Sequence, residues 1–414
     1  LIADAVRSVA VTEGNLGASG AQLASRSLFP TLAYDAYLNH AGISAPSTAV
    51  LAAVREVVED YAARGFAAWP THNDRRTRLR QRIAKLIGAS AEDVGFTTNT
   101  TSGVTQIAMS LAWKPGDAVL LFRGEFPSNV TPWLQAAKTF GLDVRWVDLD
   151  GFTRSHEEGL SVYSRALDEG GVRLVAVSAV QFQTGLRMPI RAMANAAHRH
   201  GAELFVDAVQ ACGAVPLDVS EGRVDYLACG SHKWLMGIEG AGFLFVDRAR
   251  VGALVPRLAG WLSHEEPVRF LLEGAGHLRY DRPIRPRADF IEGGNVPTTA
   301  FAALDASLAL IEELGVDAVY SHVQRYLDAL EPALAERGFR SVRSAFVEGR
   351  SGSLCALPPE GHALEPLHRA LVRERIACAM PDGHLRFSPH WPNSVDEVPS
   401  VLAAVDRALR ATRA

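Results

Sequence analysis

A lysine and an aspartate, each following a short apolar run, are the residues here whose types and spacing could do chemistry. Leu204-Phe205-Val206 ends on Asp207, with Gln210 three residues on. Tyr226-Leu227-Ala228-Cys229 runs into Gly230-Ser231-His232-Lys233-Trp234, and Gly242 to Val246 forms a third apolar run after a glycine-rich turn. Short apolar runs of this kind read as buried parallel strands. Their carboxyl ends are where open α/β sheets bind ligands. An amine and an acid so placed suit a cofactor that carries both an aldehyde and a pyridine ring. The amine forms a Schiff base, and the acid keeps the ring nitrogen protonated so that the ring can accept electrons from a carbanion. That is pyridoxal phosphate chemistry. Singly, Asp207 would more often cap a helix and Lys233 sit on a surface; the ordered combination carries the reading.

The stretch from Glu203 to Val246 resembles the class V aminotransferase family of fold-type I pyridoxal phosphate enzymes. That group includes cysteine desulfurases, kynureninase and isopenicillin N epimerase. The resemblance spans about residues 36–405. It implies that Lys233 is the Schiff-base lysine and that Asp207 pairs with the pyridinium. It also implies that Gln210 hydrogen-bonds the phenolic oxygen of the cofactor, and that His232 and Ser231 reach its phosphate. Many relatives carry S-x-H-K, whereas this chain has Gly230 at that place and the serine at 231.

Other segments fit the same site. Val94 to Thr97 leads into Thr100, Thr101 and Ser102 ahead of the helical spacing Val104, Ile107, Ala108, Leu111. A helix N-terminus with free N–H groups suits a dianion, and these residues match the family's phosphate turn. Ala118 to Phe122 reads as a strand leading to Gly124-Glu125-Phe126-Pro127-Ser128-Asn129. In relatives an aromatic residue, often His, stacks on the pyridine ring where Phe126 stands. Phenylalanine can stack but cannot exchange protons, and this sequence resembles the isopenicillin N epimerase-like branch. Leu174 to Val180 is a further strand, followed by Gln181 and Gln183. Gln181 is favoured to lie near the phenolic oxygen.

Asn39 and His40 stand in a turn that comes near the substrate in the family. Asn295, in Phe290-Ile291-Glu292-Gly293-Gly294-Asn295, occupies a place whose counterpart binds the phosphate of a neighbouring subunit, which implies a homodimer with shared sites. Arg386, in Leu385-Arg386-Phe387-Ser388-Pro389-His390, corresponds to the arginine that clamps a substrate carboxylate in a planar two-pronged contact. Cys378 superficially resembles a desulfurase loop nucleophile. Only a short span with a tight Asp382-Gly383 turn separates it from Arg386, so a core cysteine is the better reading.

Helical spacing runs from Ser47 to Ala63, from Arg75 to Ile87, from Arg191 to His200, from Thr299 to Leu314 and from Val316 to Arg337. Strands alternating with helices between about 90 and 246 imply a mainly parallel sheet with right-handed crossovers. Residues 250–290 read as short helices and loop, and the chain from about Phe339 as a small α/β unit. The expected architecture is α/β, the fold-type I transferase fold. Its large cofactor domain is residues 46–296, with a mainly parallel sheet of the seven-stranded type. Its small domain joins residues 1–45 to 297–414. Residues 1–30 are expected to form a helix and a loose lead-in.

With 48% hydrophobic and 21% charged residues, the composition is that of a globular protein. A net charge of −4 gives no reason to expect nucleic acid as a partner. The arginines of the Arg75–Ile87 helix read as a solvated face. Four scattered cysteines without C-x-x-C suggest reduced thiols in a cytoplasmic protein. No metal-binding pattern, membrane span or signal peptide is apparent. The chain opens on Leu1 rather than Met, as though a start had been removed. The expected function is a pyridoxal-phosphate-dependent class V aminotransferase-type enzyme of the epimerase-like branch, acting at Cα or Cβ of a small α-amino acid. Cysteine desulfurase or C–S β-lyase is the alternative, and a non-catalytic cofactor-binding protein the remote one.

Overall fold

The computed structural model describes residues 20–413. The lead-in expected over residues 1–30 lies largely outside them, and the described part, residues 20–30, is turns and irregular chain rather than helix.

Seven strands make the central sheet: β1 Val94–Thr97, β2 Ala118–Phe122, β3 Asp143–Val147, β4 Val172–Ser178, β5 Glu203–Asp207, β6 Tyr226–Gly230 and β7 Gly242–Val246. Their spatial order is β3-β2-β4-β5-β6-β7-β1. The pairs from β3 through to β6 are parallel. β7 runs antiparallel to both β6 and β1. Helices cover both faces, so β2, β5 and β6 bury every residue, and their middles are apolar, with Glu203 and Asp207 at the two ends of β5. Each fully buried Val, Leu or Phe contributes roughly 1.5–3 kcal/mol. The edge strand β3 buries only Val147, and so little burial leaves a faint hydrophobic pattern.

Register sets the site. Ser178 pairs with Asp207 and Asp207 with Ala228, so β4, β5 and β6 end nearly level. Four neighbouring strands then each deliver a functional-type side chain three residues beyond their last residue. Glu125 follows β2, Gln181 follows β4, Gln210 follows β5 and Lys233 follows β6.

A second hydrophobic core lies away from the sheet. It gathers Phe29 and Leu38 from the early chain with Leu327, Leu354, Leu367, Phe387, Trp391 and Val405 from the late chain. Strand Leu385–Phe387 pairs with Leu354–Leu357, which pairs with Arg340–Ser341, all antiparallel. Ala36–Tyr37 lies parallel to Ile376–Ala377. Helix Thr298–Leu314 sends Phe301, Leu304 and Leu308 into the core against the sheet and Leu310 into the second core.

The arginine-rich helix differs from its expectation. It begins at Trp69, with Pro70 in its first turn, and ends at Ile87 on the left-handed Gly88. Its arginines are not simply a solvated face. Arg75 pairs with Glu56 at 2.7 Å and Arg80 with Glu292 at 2.7 Å. Arg80 also lies over the Phe96 ring, and Arg82 pairs with Asp305 and Glu312. Ion pairs to other elements replace the aromatics that a nucleic-acid surface would interleave.

Candidate active site

Asp207 is buried at the end of β5. Its carboxylate accepts from the Val209 N–H at 3.0 Å and the Ser128 hydroxyl at 3.4 Å. Burial raises its pKa against the opposing pull of Val209, Lys233 and Ser128. Lys233 Nζ stands over the Phe126 ring, 5.3 Å from its centroid. Burial pushes the Lys233 amine down to about 8; Asp207 opposes the shift and Arg386 adds to it. Both shifts therefore carry the sign that burial gives, not the sign an ion pair gives. A lysine near 8 is a usable base and nucleophile at physiological pH.

Phe126 is 43% exposed and meets Phe182 edge-on at 5.2 Å. It presents one face of its ring to the lysine. Beside it, Glu125 is buried. It accepts from the Ser178 N–H at 2.7 Å, from Gln181 Nε2 at 3.0 Å, from Asn129 Nδ2 at 3.3 Å and from the Ser178 hydroxyl. Sequence reasoning passed over Glu125, although its place three residues beyond β2 mirrors that of Lys233. Gln181 spends its amide nitrogen on Glu125, and its carbonyl oxygen is buried without a partner. Gln183 instead reaches Asp382 of the late chain, so of the two glutamines only Gln181 joins this buried network.

Arg386 is 5% exposed. One Nη donates to the Phe182 carbonyl at 3.0 Å, and Nε is buried without a partner. Burial lowers its pKa, yet guanidinium stays charged at any working pH. Asn39 is bridged to Ser388, and its buried Oδ1 has no partner. Two residues therefore converge from the second core with unspent polar atoms.

A helix over Thr100–Ser110 is capped by Asn99, whose side chain accepts from the Ser102 N–H at 2.9 Å. Gly103 lets this helix press onto β6, since a Cβ there would lie 2.7 Å from the Cβ of Ala228. Thr100 Oγ1 is buried without a partner. A Cβ on Gly230 would fall 3.2 Å from that oxygen and 3.4 Å from His232 Nδ1. The missing side chain thus leaves a cradle between a helix N-terminus, an orphaned hydroxyl and an imidazole, which fits a phosphate. Thr101 is exposed on the same turn, while the Ser102 hydroxyl is engaged with Asn99 at 3.1 Å and Thr98 at 2.9 Å.

Residues 36–389 match the family described as aminotransferase class-V. The chain belongs to that family. It is a pyridoxal phosphate enzyme of the α/β fold that its sheet displays, and the orphaned Thr100 hydroxyl, the Gly230 cradle and the Asp207–Lys233 arrangement fit that cofactor. The chain is 28% identical over 374 residues to the uncharacterized aminotransferase YcbU of Bacillus subtilis (strain 168), covering 90% of this chain and 94% of that one. It is 27% identical to isopenicillin N epimerase of Streptomyces clavuligerus, covering 80% and 83% of the two. A solved structure of C-DES with glycine covalently linked to its PLP cofactor superposes with a TM-score of 0.83 at 23% identity, covering 92% of this chain and 98% of that one.

Several expectations for this class V site change on the structure. Ser231 was expected at the phosphate, but it is fully buried and its hydroxyl donates to the Ile238 carbonyl within its own turn. His40 was expected near the substrate; it is buried, and its Nδ1 is bonded to Ser44 at 2.8 Å. Gln210 gives its amide nitrogen to the Ala41 carbonyl at 3.0 Å and accepts from Trp234 Nε1 at 2.8 Å. One of its N–H bonds remains as a donor for a ligand. Asn295 is exposed and lines a separate cavity of about 580 Å³ with Trp69, Arg76 and Trp261, away from Lys233 of its own chain.

Among the described residues no helix is long and apolar enough to cross a membrane, and no cluster of side chains could hold a metal ion.

Proposed function

We propose that this class V enzyme acts at Cα of a small α-amino acid, in the manner of an aminotransferase or an epimerase. The observation that carries this reading is Lys233. It is a partly buried amine lowered to about 8, held between Phe126, Asp207 and Arg386. When bound, pyridoxal phosphate supplies an aldehyde for the lysine and an electron sink for a carbanion. Thr100, Thr101 and His232 would hold its phosphate, Asp207 its ring nitrogen and Phe126 one face of its ring. Gln210 and Gln181 would face its phenolic oxygen.

The chain's own residues then divide the work. Arg386 binds the substrate carboxylate with its unspent N–H groups, and the acceptor Oδ1 of Asn39 suits a donor on the substrate rather than that carboxylate. Lys233 Nζ would take the Cα proton. Asp207, whose Oδ1 accepts from the Val209 N–H and whose Oδ2 accepts from the Ser128 hydroxyl at 3.4 Å, would use a remaining lone pair for the ring nitrogen. Phe126 excludes water and moves no proton, so Lys233 is the base within reach. Return of the proton by Lys233 to a position other than Cα would give transamination, whereas inversion would need a proton delivered to the opposite face of Cα.

Asn295, turned away from Lys233 of its own chain, is read as completing the phosphate site of a second copy in a homodimer. An active monomer by sedimentation would remove that role. Residues 46–296 are taken as the cofactor lobe, with 1–45 and 297–414 as the small lobe. Four buried free thiols suit a reducing, cytoplasmic setting.

Desulfurase chemistry is the second reading, supported by relatives named cysteine desulfurases, one of them 30% identical over 295 residues. Against it stands Cys378, buried in the second core with its thiol pushed up to about 12. A panel of amino acids followed by absorbance and product mass spectrometry tests the proposal. Keto acid or inverted substrate supports it. Sulfide from cysteine without either product sinks it.

A further inference from the structure

The three backbone carbonyls at and beside Lys233 are each bonded from remote chain. The His232 carbonyl accepts from the Ser44 N–H at 2.8 Å. The Lys233 carbonyl accepts from the Ser44 hydroxyl at 2.6 Å, and the Trp234 carbonyl accepts from His390 Nε2 at 2.8 Å. The lysine thus leaves a turn whose backbone is fixed by residues far away in sequence, on both sides of the strand that carries Arg386.

Proton counting fixes the state of this brace. A serine hydroxyl has one proton, and Ser44 gives it to Lys233. At its 2.8 Å contact with His40 Nδ1, Ser44 must therefore accept, so His40 carries a proton on Nδ1. His390 Nδ1 accepts from the Trp391 N–H at 2.7 Å, which leaves its proton on Nε2 for Trp234. The two imidazoles meet edge-on at 5.3 Å, and Tyr37 packs edge-on against His40 at 5.1 Å. Burial and the neighbouring ring hold His40 neutral. The brace is tied to the Arg386 strand as well: the His40 N–H donates to the Ser388 carbonyl at 3.1 Å, and the Ala41 N–H to the Ser388 hydroxyl at 3.2 Å.

We infer that Ser44, oriented by His40, is a positioning residue that sets where the Lys233 amine stands. This rests on Lys233 being the reactive lysine, which the Lys233→Ala spectrum checks separately. Without the Ser44 hydroxyl, the Lys233 carbonyl keeps only the Met236 N–H at 2.9 Å. His40 Nδ1–H is then left without an acceptor, and the turn is free to shift.

The test is Ser44→Ala, with Ser44→Thr as the variant that keeps the hydroxyl, both purified as holoenzyme. The pH midpoint of the visible cofactor band moves by at least half a unit in Ser44→Ala, and kcat falls about tenfold while KM changes less than twofold. Ser44→Thr restores most of both. Should Ser44→Ala fail to fold, His40→Gln serves in its place, with a smaller band shift in the same direction. A folded, cofactor-loaded variant that melts earlier but keeps the wild-type midpoint and kcat overturns the inference, because a purely structural brace would move stability alone.

Discussion

Burial acts on Lys233 and on Cys378 with opposite consequences. Both are nucleophiles in kind, and both lose water around the side chain. Desolvation favours the neutral form of each. For the lysine, the neutral form is the reactive amine, and its pKa comes down to about 8, into the working range. For the cysteine, the neutral form is the inert thiol, pushed up to about 12, out of that range. Lys233 also faces partners that tune it, Asp207 and Arg386. Cys378 has no such neighbour among the causes of its shift. One rule thus builds an active residue beyond the carboxyl end of an inner strand and a packing residue in the second core.

The comparison breaks most visibly at Lys233 itself. Lys233→Ala should abolish the visible cofactor band and lower turnover by about a thousandfold or more, in the range of lost acid–base and nucleophilic catalysis. An unchanged absorbance spectrum would end the reading. Next in size, Arg386→Ala should lower kcat/KM by about a hundredfold, mostly through KM, since a charge-assisted bond to a carboxylate is worth about 1.5–3 kcal/mol. Steady-state kinetics with the substrate found by the amino-acid panel checks this.

A third measurement sharpens the role of burial. The Lys233 pKa in the folded, cofactor-free protein lies below that of the unfolded chain, so the unfolded chain holds more protons between about pH 8 and 10. Stability therefore rises with pH across that window, and the charged lysine costs stability below it. Lys233→Met should stabilise the cofactor-free protein by roughly 1–3 kcal/mol at pH 7, and the gain should fade above pH 10. Denaturant melts at the two pH values check it, and a gain that does not depend on pH would point to packing instead. The smallest effect is at Cys378. Cys378→Ala should cost about 1 kcal/mol of stability, as a modest truncation in a core, and leave turnover intact. Loss of sulfide release from cysteine in that variant would turn the comparison over.

The arginine helix shows where pattern reading failed. Its charges look solvated in sequence because their acidic partners, Glu56, Glu292, Asp305 and Glu312, lie on other elements. Strand β3 was passed over because an edge strand buries little and so carries little hydrophobic signal.

Sequence by itself determined the strand runs of the sheet other than β3, the glycines at 103 and 230, and the types of Asp207, Lys233, Phe126 and Arg386, because local apolar patterning and chemical identity are written residue by residue. Only tertiary structure decided which polar atoms are already spent. Ser231, Gln210 and His40 read as ligands of the cofactor or substrate, yet their hydrogen bonds go to Ile238, Trp234 with Ala41, and Ser44. Glu125 and Ser44 carry no signal in the sequence, yet Glu125 gathers Ser178, Gln181 and Asn129, and Ser44 holds the backbone of Lys233. A polar side chain's role depends on which donors and acceptors the fold brings within 3 Å or so, and those partners are distant in the chain: Ser44 and Lys233 stand 189 residues apart.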